Sequence, residues 1–122
     1  MRNTTKFGEL TIAGYQDEVI ATSKNYNSPN DALIGNTLGM AGEVGEFVEK
    51  LKHKLYHGHP IKLKMLAEEL GDIMWYLTAA ASELDIKLED IMKGNLLKLR
   101  KRYPEGFSKE RSLNRTEGTP DK

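Results

Sequence analysis

The fold is decided by one stretch of the chain, residues 31–55, which reads DALIGNTLGMAGEVGEFVEKLKHKL. Its apolar residues recur every three or four positions, which is the period of an amphipathic helix. They are Ile34, Leu38, Ala41, Val44, Val48, Leu51 and Leu55. The pattern predicts a helix of roughly 25 residues that begins near Asp31. It should stop at residues 57–60, because Gly58 suits a helix C-terminus and Pro60 suits the first turn of the next helix.

The segments on either side have the same helical period. A short helix is expected from Leu10 to about Lys24, before a turn-rich stretch at residues 25–30. A third helix is expected over residues 61–83, and a fourth from Leu88 to just before Pro104. We therefore predict an all-α fold, a four-helix bundle-like arrangement with short connections. The expected domain is residues 1–107, and the polar residues 108–122 are expected to form a flexible tail.

The amino-acid composition limits the classes of protein to which this chain can belong. The 122 residues carry 18 basic and 18 acidic side chains and no cysteine. A net charge of zero gives no indication of a nucleic-acid or membrane partner. The absence of cysteine excludes disulfides and thiolate metal sites. Residues 1–9 lack the apolar core of a signal peptide, and no segment approaches the ~20 apolar residues of a membrane span, so we expect a cytoplasmic protein.

Two pairs of carboxylates are the candidate metal ligands of this chain. Glu43 and Glu46 are three residues apart in the second helix, and Glu69 and Asp72 are three apart in the third. This spacing puts both members of a pair on neighbouring turns of one helix side. A set of oxygen ligands suits a hard divalent ion, so the sequence predicts a Mg²⁺ site, with Mn²⁺ as a possible substitute. A zinc site formed by His53, His57 and His59 is the weaker alternative, because these residues lie at a helix end and turn.

Residues near the carboxylates and on the fourth helix could bind a phosphorylated ligand. Asn95, Lys98 and Arg102 share one face, and two cations with an amide fit a polyphosphate. The alternative is a basic strip favoured by the dipole near a helix C-terminus. Tyr76 follows Asp72 by one turn and is placed to stack on a base, whereas we interpret Trp75 as a core or interface aromatic.

Three glycines of the second helix, Gly35, Gly39 and Gly42, fall on the same flank as the carboxylates. A glycine inside a helix costs about 1 kcal/mol relative to alanine. Close approach of another helix or of a ligand to a side without Cβ atoms would offset that cost. The glycines therefore predict a close contact along this flank.

Three motifs together resemble the MazG-type all-α nucleoside triphosphate pyrophosphohydrolases. They are GMAGEVGE at residues 39–46, EELGDIMWYL at residues 68–77 and NLLKLRKRYP at residues 95–104. The resemblance implies hydrolysis between the α- and β-phosphates to give a nucleoside monophosphate and pyrophosphate. It also implies nucleotide contacts from the fourth helix and a homodimer or homotetramer.

Several questions stay open at this point. A glutamate that is not fully used as a metal ligand could act as general base; we choose Glu46, with Glu43 as the second catalytic candidate. The substrate could instead be dCTP, dUTP or phosphoribosyl-ATP, as for other members of the same superfamily. A non-catalytic helical regulator that binds a nucleotide or metal is the alternative from a different class.

Overall fold

A computed structural model describes residues 7–23, 25–58, 60, 62–106, 109 and 113. Within them the chain forms a 3-10 turn at Phe7–Glu9 and four α-helices. The helices are α1 (Ile12–Thr22), α2 (Pro29–His57), α3 (Leu63–Glu83) and α4 (Leu88–Arg102). No β-strand occurs in these ranges. The prediction of an all-α fold is confirmed.

Residues at the helix ends explain where α1 and α2 begin and where α2 stops. The Thr11 hydroxyl accepts a hydrogen bond from the Gly14 N–H at 2.9 Å, and the Ser28 hydroxyl accepts one from the Asp31 N–H at 3.1 Å. Because Ser28 is an N-cap and Pro29 fits the first turn, α2 begins two residues before the predicted Asp31. Gly58 ends α2 with a φ of 69°, the left-handed conformation that favours glycine.

The chain is divided into two compact units, Met1–Leu88 and Glu89–Lys122. In the first unit α3 packs along α2 and less extensively against α1. The short connection at residues 58–62 makes α2 and α3 antiparallel neighbours. The second unit contains α4 after its first residue. The predicted tail at residues 108–122 lies outside the described residues apart from 109 and 113, so the tail and the domain bounds stay predictions.

The interior of the first unit is small, and three of its described polar residues are buried: Gln16, Asn36 and Thr78. Its buried apolar side chains are Val19, Ala32, Ala79, Ala81 and Leu88. Gln16 of α1 is also buried, and its amide nitrogen donates to the Ser82 hydroxyl and to the Ile86 carbonyl, each at 3.0 Å. Its amide oxygen accepts from the Leu88 N–H at 2.7 Å. Gln16 thus connects α1 to the end of α3 and to the turn that follows it.

The apolar stripe that predicts α2 is largely exposed in the single chain. Five of its side chains have exposed fractions from 44% at Val44 to 71% at Leu55, whereas Leu51 is partly buried. On α3, Leu63, Leu70 and Met74 are exposed as well. None of the described helices is long and apolar enough to cross a membrane.

Candidate functional site

The antiparallel packing of α2 and α3 brings three of the four predicted carboxylates together. Glu43, Glu69 and Asp72 each offer one oxygen, and these atoms lie within 4.8 Å of one another. Glu43 and Glu69 are partly buried, and Asp72 is exposed. Carboxylates at such a separation repel unless a proton or a cation lies between them. We call these three residues the carboxylate cluster.

Glu69 differs from its neighbours in the partners of its two oxygens. Oε1 accepts a hydrogen bond from the Lys50 ammonium at 2.7 Å. Oε2 is buried, and no group among the described residues donates to it. The bond from Lys50 lowers the pKa of Glu69, and a hydrogen bond donated by a protonated Glu43 would lower it further. A deprotonated carboxylate therefore faces the cluster with a buried oxygen that lacks a donor.

Glu43 shows the opposite shift. The hydrogen bond that a protonated Glu43 could donate to Glu69 raises the pKa of Glu43, and burial and the charges of Asp72, Glu69 and Glu46 raise it further. A proton on Glu43 would supply the donor that Glu69 lacks. The two carboxyl groups thus favour a shared proton, and a divalent cation could replace that proton.

Glu46 lies outside the group of three. It is exposed on α2, one turn beyond Glu43 and one turn before Lys50, and its charge acts on both residues. Its role as ligand and general base stays a prediction.

A cavity of about 330 Å³ adjoins the cluster. It is lined by Thr22, Glu43, Asp72, Trp75 and Tyr76. The Trp75 indole N–H donates to the Thr22 hydroxyl at 3.1 Å, and the two aromatic rings meet edge to face with centroids 5.1 Å apart. The cavity therefore has two carboxylates on its walls and two aromatic rings beside them.

The glycine flank of α2 makes close contacts, and the approaching groups are aromatic rings. A Cβ atom at Gly39 would lie 2.6 Å from Cδ1 of Tyr76, and one at Gly35 would lie 2.7 Å from the Tyr26 hydroxyl oxygen. At Gly42 a Cβ atom would meet nothing within 4 Å among the described residues. An aromatic ring therefore packs closely on two of the three glycines. At Gly39 this ring is Tyr76, which also lines the cavity.

The predicted phosphate-binding residues lie on α4, in the second unit. Asn95 and Lys98 line one cavity of about 540 Å³, together with Ile91, Gly94, Leu97 and Lys101. Arg102 is not part of that lining; its guanidinium carbon lies 6.0 Å from the centre of the Tyr103 ring. The shared face of Asn95 and Lys98 is present, and the nucleotide contacts of all three residues stay predictions.

Sequence reasoning missed three residues of this region. Lys50 follows Glu46 by one turn on the same helix, so a base next to the acidic pair was the available signal. Trp75, interpreted as a core or interface aromatic, lines the cavity beside the cluster. Burial raises the pKa of the Tyr15 phenol on α1, and the charge of Asp72 raises it further. The charge of the cluster therefore acts on Tyr15, which no sequence motif indicated.

The zinc alternative finds no support in the described residues. His53 Nε2 lies 3.3 Å from Glu49 Oε1, four residues earlier on α2. The group that could hold a metal among the described side chains contains no histidine. His59 and the side chain of His57 lie outside the described part of the chain.

Comparison with known proteins bears on the same residues. Residues 34–107 match the family model described as the MazG nucleotide pyrophosphohydrolase domain. The chain is also 35% identical over 83 residues to the Gene 37 protein of Mycobacterium phage L5, a match that covers 65% of this chain and 73% of the phage protein. No solved structure gives a significant match. The matched range contains the carboxylate cluster, both aromatic residues of the cavity and the three predicted residues of α4.

Proposed function

The chain belongs to the MazG nucleotide pyrophosphohydrolase family, and from this membership we propose that it is a divalent-metal-dependent nucleoside triphosphate pyrophosphohydrolase. The proposed reaction is hydrolysis of the anhydride bond between the α- and β-phosphates, which yields a nucleoside monophosphate and pyrophosphate. The observation that carries the proposal is the set of three carboxylate oxygens within 4.8 Å. A family of hydrolases that act on nucleotides gives this set a function that acidic residues alone would not indicate.

The donor set fits a hard cation. Its members are oxygens only, and the buried Oε2 of Glu69 lacks a donor among the described residues. Glu43, Glu69 and Asp72, with Glu46 from the next turn, would hold Mg²⁺, or Mn²⁺ as a substitute. When bound, the ion supplies positive charge that binds phosphate oxygens and offsets the charge that develops on them.

The remaining proposed roles belong to the protein's own side chains. Glu46 is exposed and lies outside the cluster, so its carboxylate is available to take a proton from the attacking water; Glu43 is the second candidate. Tyr76 would stack on the base, and the cavity that it shares with Trp75 adjoins two carboxylates. Asn95, Lys98 and Arg102 would donate hydrogen bonds to the phosphates.

We also propose that the working molecule is a homodimer or homotetramer. The support is the exposed apolar stripe of α2, where Leu38 is 67% exposed and Val48 is 55% exposed. A second copy of the chain could cover this surface, and burial of apolar area stabilises association. Light scattering on a size-exclusion column tests this, and a monomer at micromolar concentration would contradict it.

The test of the activity is a measurement of pyrophosphate release with and without Mg²⁺ and across a panel of nucleotides. The panel includes canonical triphosphates, dCTP, dUTP and phosphoribosyl-ATP, so it also determines the substrate class. Release of orthophosphate would show that a different bond is broken. Binding without turnover would identify a regulator rather than an enzyme.

Charge-neutralising variants test the site itself. We expect Glu43→Gln, Glu46→Gln, Glu69→Gln and Asp72→Asn each to lower turnover at least about 100-fold, because an amide keeps the shape and loses the ligand charge. Glu68→Gln is the matched control: it is adjacent to Glu69, exposed and outside the cluster, and it should keep turnover within about twofold. Near-wild-type turnover in any two of the four variants at limiting Mg²⁺ would refute the site.

A further inference from the structure

One ion pair of the described residues differs from the others. Lys50 on α2 and Glu69 on α3 are 24% and 13% exposed, and their atoms lie 2.7 Å apart. The pair Lys93–Glu89 joins two residues of one helix, and its side chains are 67% and 48% exposed. Pairs of that exposed kind contribute little to stability. The pair formed by Lys50 is shielded from solvent, connects two helices and involves a residue of the carboxylate cluster.

We infer that Lys50 is a positioning residue and the built-in counter-charge of the metal site: it binds one oxygen of Glu69 and leaves the other oxygen for a divalent cation. The inference rests on the proposed function, because it assigns a role to Lys50 relative to the proposed metal ligands. Nothing in the acidic pairs or in the family match assigns a function to this lysine.

The partners of Glu69 support this division of its two oxygens. Oε1 is occupied by the ammonium group, and Oε2 is buried without a donor among the described residues. At neutral pH the Lys50 ammonium is positively charged, and it lies 2.7 Å from the Glu69 carboxylate.

A fixed positive charge at this place has two opposite effects. In the metal-free protein it offsets repulsion among Glu43, Glu69 and Asp72, and it holds the Glu69 side chain in one position. When a divalent cation binds, the same charge repels it across a short distance. Lys50 should therefore stabilise the metal-free fold and weaken metal binding. A protein without this charge should depend more strongly on the metal for its stability.

The experiment compares wild type with Lys50→Met, Lys50→Arg and Lys54→Met. Lys54 is exposed on the same helix one turn further on, so it controls for the loss of a surface lysine. Mn²⁺ binding is measured by calorimetry without nucleotide, and thermal melting is measured in EDTA and in saturating Mn²⁺. For Lys50→Met we expect roughly tenfold tighter Mn²⁺ binding. We also expect a lower melting temperature in EDTA and a larger rise on addition of Mn²⁺ than in wild type.

The control variants should behave like wild type, Lys50→Arg because it keeps the charge and Lys54→Met because it lies beyond the cluster. Unchanged or weaker Mn²⁺ binding in Lys50→Met overturns the inference, whether or not the melting temperature falls. Equal effects in Lys50→Met and Lys50→Arg also overturn it, because charge would then not be the cause. If Lys50→Met folds poorly, Lys50→Gln repeats the test with a neutral polar side chain. Absence of Mn²⁺ binding in wild type would refute the proposed metal site as well, which separates the two failures.

Discussion

Replacement of Gly39 by alanine tests whether the backbone of α2 holds the Tyr76 ring in the cavity. An added Cβ atom would lie 2.6 Å from both Cδ1 and Cζ of the ring. Real Cβ atoms do not approach other heavy atoms so closely, so the ring or the helix has to shift. Gly42, three residues further along the same helix, has nothing within 4 Å of the corresponding position among the described residues. The two glycines form a matched pair.

The expected change in the free energy of unfolding follows from two opposed effects, helix propensity and overpacking. Alanine is more favourable than glycine inside a helix by about 0.8–1 kcal/mol. Overpacking costs about 1–3 kcal/mol. Gly42→Ala should therefore raise the free energy of unfolding by up to about 1 kcal/mol, and Gly39→Ala should change it by between about zero and a loss of 2 kcal/mol. Both variants gain the helix propensity of alanine, so the difference between their free energies of unfolding is the overpacking cost at Gly39.

Thermal melting and tryptophan fluorescence are the two assays. A difference of about 1–3 kcal/mol corresponds to several degrees in the melting temperature of a domain of this size. Trp75 is the single tryptophan of the chain and its ring contacts Tyr76, so Gly39→Ala should also shift the emission spectrum. Equal melting temperatures for the two variants, with unchanged emission, would refute the packing of Tyr76 on Gly39.

Two further predictions concern the α4 residues and the Gln16 connection. Lys98→Ala should lower kcat/KM roughly tenfold or more, because a charge-assisted contact to phosphate contributes about 1.5–3 kcal/mol, and Arg102→Ala should do so more mildly. Mn²⁺ binding by the nucleotide-free protein should stay unchanged in Lys98→Ala; lost metal binding with unchanged kinetics would contradict the phosphate assignment. Gln16→Ala should lower the free energy of unfolding by about 2–4 kcal/mol, since it removes two donated hydrogen bonds and leaves the Leu88 N–H buried without an acceptor. Urea unfolding followed by circular dichroism measures this, and a loss below about 0.5 kcal/mol would show that water replaces the amide.

The helices could be predicted because their signals are local. The hydrophobic period shows where each helix runs, and Gly58 and Pro104 lie within a few residues of the helix ends that they define. The predicted start of α2 at Asp31 is wrong by two residues, because Ser28, which lies in the predicted turn, caps the helix. The exposure of the apolar stripe is not a local property. A periodic stripe shows which side of a helix is apolar, but not whether the same chain or another copy covers it.

The sequence predicts which site residues share a face of one helix, but not which residues of α2 and α3 meet. Glu43 and Lys50 are seven residues apart, so they are separated by about 10.5 Å along α2, or roughly two turns. The register between α2 and α3, which no sequence pattern states, determines which of these residues meets Glu69. Glu69 is close to both: one oxygen binds the lysine, and an oxygen of its carboxylate lies within 4.8 Å of an oxygen of the glutamate. A shift of one helical turn, about 5.4 Å, would break this double contact and separate the carboxylates from their counter-charge. The charge balance of the proposed metal site therefore depends on the packing of two helices, and Glu69 is the residue at which the acidic cluster and Lys50 are joined.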